Sequence, residues 1–76
     1  MKYEITYVKT GELTPRSYLF IEEVGENEDK SWQVHEGAPY YVSFSEFNYA
    51  LEYATTKCNA FLAQGLIKSY EVSLCE

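Results

Sequence analysis

Phe47, Leu51, Ala54, Cys58, Phe61 and Leu62 recur at three- and four-residue spacing, the period that lines apolar side chains along one stripe of an α-helix. A stripe of this length is stable only against another apolar layer. With 76 residues the chain has room for one domain and one core, spanning 1–76, so the remaining segments must build the layer on which the helix lies. Ser43 with Glu46 has capping-box spacing and Ser45 is an equally good N-cap; either one starts the helix just before Glu46. Gly65 supplies a residue free to take positive φ, with Leu66 placed for the accompanying apolar contact, so the helix ends near Gln64.

The rest of the chain reads as strands. Lys2 to Lys9 alternates, with Tyr3, Ile5 and Tyr7 on one face, which we assign to the helix side. Gly11 and Pro15 punctuate a loop into a second strand, Ser17 to Val24, whose run Tyr18-Leu19-Phe20-Ile21 is apolar at successive positions and marks it as central. A polar turn, Gly25 to Lys30, leads to a third strand, Ser31 to Glu36. After Gly37 and Pro39, Tyr40 to Phe44 is a short fourth. Beyond Gly65, Leu66, Tyr70, Val72 and Leu74 alternate with Ile67, Ser69, Glu71 and Ser73. Lys68 interrupts this order, which leaves two explanations: it snorkels at the sheet margin, or a bulge shifts the phase. The expected fold is α+β, an antiparallel sheet of four to five strands packed on one face by a single long helix, in the order β-β-β-(β)-α-β.

One helix covers one face of a sheet. The other face is expected to display Val8, Leu19, Ile21 and Ile67, an apolar surface suited to self-association or partner docking.

Composition narrows the function. Asp and Glu outnumber Lys and Arg by 12 to 6, for a net charge of -6, which opposes phosphate backbones and anionic membranes and favours basic protein surfaces. The start of the chain, Met1-Lys2-Tyr3-Glu4, has no apolar stretch of signal-peptide or membrane-span length, so a cytoplasmic location is expected. The two cysteines, Cys58 and Cys75, and the one histidine, His35, are too few for a disulfide scaffold or a metal site. No cofactor is expected either, since the four glycines stand singly and form no phosphate-binding loop.

Catalysis finds little support in these residues. Cys58 and His35 are the one thiol and imidazole pair, yet Cys58 sits on the apolar stripe, where a buried thiol is inert packing. Glu22 and Glu23 are adjacent on a strand and point to opposite faces, so they cannot converge on one bond. With Glu26, Glu28 and Asp29 they instead form a dense acidic patch, either plain solvated surface or a contact for Lys and Arg on a partner. Eight tyrosines add stiff contact area with polar tips. Tyr49 and Tyr53, four apart on the helix and bordered by Glu52, either form an exposed aromatic patch or pack on the sheet margin.

The stretch from Trp32-Gln33-Val34-His35 to Ala54, a Trp-bearing strand, a Gly turn and then Phe44-Ser45 opening a helix with Ala50 and Ala54, resembles AP2-like domains. That resemblance implies DNA binding through a basic sheet. The strands read here carry Glu22, Glu23 and Glu36 and no arginine, so direct nucleic-acid binding is not expected. In size, charge and aromatic content the chain is also similar to small inhibitors of phages and mobile elements, anti-CRISPR proteins and other nucleic-acid mimics among them. That similarity implies a non-enzymatic protein that occupies a basic, nucleic-acid-binding surface of its target; the residues read above as contacts for such a partner are Glu22, Glu23, Glu26, Glu28, Asp29, Tyr49, Glu52 and Tyr53. The alternative is an assembly subunit that homodimerises through the open sheet face.

Overall fold

A computed structural model describes residues 1–26, 29–37 and 39–75. Its elements are β1 (Lys2–Lys9), β2 (Arg16–Val24), β3 (Ser31–Gly37), β4 (Tyr40–Phe44), α1 (Phe47–Ala63) and β5 (Ile67–Cys75). The first four strands form a meander, each antiparallel to the one before it, and the helix then returns the chain to place β5 beside β1. The five-stranded sheet therefore has the order β4-β3-β2-β1-β5, with β4 and β5 as its edges. The α+β architecture expected from the sequence is the one observed. A 17-residue helix is about 25 Å long at 1.5 Å per residue. Four inter-strand spacings measure roughly 19 Å, so α1 can bridge the two edges of the sheet.

The two ends of the helix form by different means. Glu46 is the N-cap, in extended backbone at φ -134 and ψ 148, and no side chain caps it, so neither Ser43 nor Ser45 has the role that spacing suggested. Its carbonyl already accepts the first intrahelical bond, from the Ala50 N–H. At the other end Gly65 takes φ 74, and the Leu66 N–H bonds the Phe61 carbonyl while the Gly65 N–H bonds that of Leu62. This is the Schellman closure expected at that glycine.

Packing against the sheet selects small side chains. Ala50, Ala54 and Cys58 are fully buried and lie four residues apart, so the helix backbone sits close to the sheet on a seam one small residue wide. Opposite them are Ile5, Leu19, Ile21 and Val34, each no more than 1% exposed. Phe47, Leu51 and Tyr53 flank the seam, half-buried, whereas Leu62 is exposed. Around one end Phe47 meets Tyr3 at 4.7 Å and Trp32 at 4.8 Å between ring centroids.

Register corrects the expected open face. Ile5 pairs with Leu19 and Tyr3 with Ile21, so Leu19 and Ile21 share the helix side with the β1 residues assigned there. A bulge between Ile5 and Thr6 leaves Tyr18 as the extra residue, and its ring turns to Phe61 of the helix at 5.7 Å. Three of the four residues in the apolar run of β2 thus serve one face, and Phe20 alone remains on the other. A second bulge, opposite Val8 and Lys9, makes Lys68 the extra residue of β5. It decides between the two explanations left for Lys68, and it shifts Ile67 to the helix side, where it is 7% exposed. The open face keeps Val8, as expected, and otherwise carries Lys2, Glu4, Thr6, Glu22, Gln33 and His35 around Phe20, a largely polar surface. Among the described residues no helix is long and apolar enough to cross a membrane.

Candidate interaction surface and cavity

The acidic residues around the β2–β3 turn divide by strand alternation. Glu22 lies on the open face, with Lys2 of β1 and Gln33 of β3 as its cross-strand neighbours. Glu23 takes the helix side opposite Trp32, where its carboxylate stands 3.9 Å from the amino group of Met1. Glu26 and Asp29 are exposed in the turn, closed by the Asp29 N–H donating to the Glu26 carbonyl at 3.0 Å. Glu28 lies outside the described residues. The structure therefore groups Glu22, Glu26 and Asp29 at one end of the sheet and separates Glu23 from them.

Charge pairing is lopsided. Arg16 is held by Glu12 through two hydrogen bonds of 2.9 and 2.8 Å, and Lys57 by Glu36. The Lys2 ammonium lies 4.3 Å from the centroid of the Phe20 ring. Among the described residues Glu4, Glu22, Glu26, Asp29, Glu46, Glu52 and Glu71 make no ion pair. The surplus negative charge of the chain is thus displayed at the surface.

The helix flank carries the second set of expected contacts. Tyr49 is 54% exposed, while Tyr53 leans on Phe44 of β4 at 5.3 Å with the Lys57 ammonium 4.6 Å from its centroid. One ring is displayed and the other packs on the sheet margin. Together with Glu52 and Thr56 they line a shallow depression at the β4 edge. Beside it the edge strand itself exposes Tyr40 at 81%, Tyr41 at 53% and Val42 at 41%. Sequence reasoning missed these three as contact residues, although a short aromatic strand that ends a meander was the available signal.

Glu36 organises a cluster of polar contacts at the surface. It accepts hydrogen bonds from Lys57 and from the Tyr18 hydroxyl, the latter at 3.2 Å. Burial and the neighbouring Glu36 carboxylate push the Tyr18 phenol up to about 12, so it stays protonated as a donor. Lys57 is raised by its hydrogen bonds to Glu36 and Tyr53, and Cys58 by burial and by Glu36. A raised thiol is a poor nucleophile. His35 lies across the sheet on the open face, where its Nε2 is 3.0 Å from the Gln33 side-chain oxygen. The structure does not bring His35 and Cys58 together. No group of three or more metal-ligating side chains converges among the described residues.

A cavity of about 370 Å³ opens at the end of the sheet remote from the acidic turn. Tyr7, Tyr18, Phe61 and Ile67 wall it, and the exposed Lys9, Arg16 and Leu66 form its rim. No family model matches the chain, and no curated protein or solved structure matches it significantly.

Proposed function

We propose that this chain is a non-enzymatic protein-binding protein that docks on a basic surface of its partner. The observation that carries this reading is the unpaired acidic surface, with Glu22, Glu26 and Asp29 grouped at the β2–β3 end and no cation paired with them among the described residues. Such a surface steers association toward Lys- and Arg-rich targets, and grooves that hold nucleic acid are the densest of these. Tyr40, Tyr41 and Tyr49 add stiff, amphipathic contact area at the β4 edge. An inhibitor of the phage or mobile-element kind, acting in the cytoplasm on a nucleic-acid-binding protein, is the specific form of the proposal.

Homodimerisation through the open sheet face has less support, because Leu19, Ile21 and Ile67, expected on that face, lie on the helix side and leave Val8 and Phe20 among polar neighbours. The test of the acidic surface is affinity capture of partners at low and high ionic strength, with wild type and with Glu22→Lys, Glu26→Lys and Asp29→Lys combined. Salt and the triple reversal are each expected to weaken capture by about tenfold or more. Capture that both leave unchanged refutes the reading.

A further inference from the structure

The cavity beneath the helix C-terminus is a site of a different chemistry. Its wall is aromatic and aliphatic: Tyr18 meets Phe61 and Tyr7 edge-on, at 5.7 and 6.2 Å, and Ile67 closes the interior at 7% exposure. Among the described residues no carboxylate lines it, although the chain carries twice as many acids as bases. Two of the six basic residues, Lys9 and Arg16, instead stand at its rim. Lys9 makes no ion pair among the described residues. Arg16 is oriented by Glu12 through Nε and Nη2, and its Nη1 has no partner among the described residues. The volume, about 370 Å³, lies within the range of small-molecule sites.

From this arrangement we infer that the cavity binds a small amphiphilic carboxylate. The apolar body, of medium-chain acyl size, lies among Tyr7, Tyr18, Phe61 and Ile67, and the carboxylate rests on the Lys9 ammonium with Arg16 beside it. An apolar wall and a cationic rim select this class over two others. A neutral alcohol gains the wall but not the rim, and an alkylammonium meets like charge there. The site is independent of the acidic docking surface. It sits at the start of β2, whereas Glu26 and Asp29 follow its end, about 25–30 Å away along a nine-residue strand.

The experiment titrates the isotope-labelled full chain with decanoate, decanol and decyltrimethylammonium below their micellar concentrations, following amide shifts. Decanoate is expected to saturate, with shifts confined to β1, the start of β2, the helix C-terminus and the start of β5. Decanol is expected to bind about tenfold more weakly, and the ammonium more weakly still. Lys9→Gln should lower decanoate affinity about tenfold while sparing decanol. Leu66→Glu places a carboxylate at the rim on an exposed residue and should abolish decanoate binding with the fold intact. Equal affinity for the three probes, shifts spread over Leu13 and Tyr40, or no saturable decanoate binding would each overturn the assignment.

Discussion

The seam Ala50-Ala54-Cys58 sets the distance between helix and sheet, and Ala54→Leu measures it. Ala54 is fully buried, midway along the seam, and faces a layer in which Ile5, Leu19, Ile21 and Val34 already fill the space. Leucine adds three carbon atoms there. Forcing extra methylene groups into a filled core costs about 1–3 kcal/mol in displaced side chains and backbone. A chain of 76 residues has a total stability of roughly 4–11 kcal/mol, at about 0.05–0.15 kcal/mol per residue. A loss of about 2 kcal/mol lowers Tm by roughly 8–16 °C in a domain of this size. Ala60→Leu is the control, on the same helix but exposed, and should change stability by less than about 0.5 kcal/mol. Urea unfolding followed by far-UV circular dichroism, with Tm from calorimetry, reads both. Equal midpoints for the two variants would show that the helix does not rest on this seam, and the packing argument would fail.

Stability should also fall in alkali. Tyr18, Lys57 and Cys58 all hold their protons more tightly folded than unfolded. Their contribution is therefore complete below the lowest ordinary value of the three, the thiol's 9.0, and is lost as pH rises toward 12. Tm measured between pH 7 and 11 should be level and then decline, and Tyr18→Phe should make the decline shallower; an unchanged slope would contradict the assignment. Two glycines should differ in cost. Gly65→Ala meets open space at φ +74 and should lose about 1 kcal/mol, whereas Gly25→Ala, at φ +95, also sets its Cβ 2.5 Å from the Asp29 carbonyl oxygen and should lose more. Equal Tm values for the two would discount that close approach.

Much of this fold is legible in the residues because each element carries a period of its own. Alternation bounds β1 at Lys2–Lys9 and the aromatic run bounds β4 at Tyr40–Phe44, while Gly65 marks the end of the helix. The faces were harder to read. Alternation alone does not say which half of Tyr18-Leu19-Phe20-Ile21 is inside, and the bulge at Tyr18 adds a third residue to the inner set. The bulge at Lys68 hides Ile67 from the helix-side pattern of β5 in the same way. Ala50 lies between Phe47 and Leu51, whose larger side chains set the line of the stripe, whereas close approach to the sheet centres the seam on the small residues Ala50, Ala54 and Cys58. The cavity was illegible for a third reason: Arg16 lies opposite Tyr7, and Lys9 opposite Ile67, through pairings that depend on both bulges.

Lys2 lies opposite Cys75 and Ile5 opposite Val72, so β1 is completed by the element most distant from it in the chain. On the ribosome β1 to α1 emerge first. Until Ile67–Cys75 follows, β1 is an unfinished border whose amide and carbonyl groups are open to any extended segment. The same nine-residue strand from a neighbouring copy satisfies those groups as well as the chain's own. Reciprocal exchange of that terminal strand is accordingly the misassembly that this order of elements invites at high concentration.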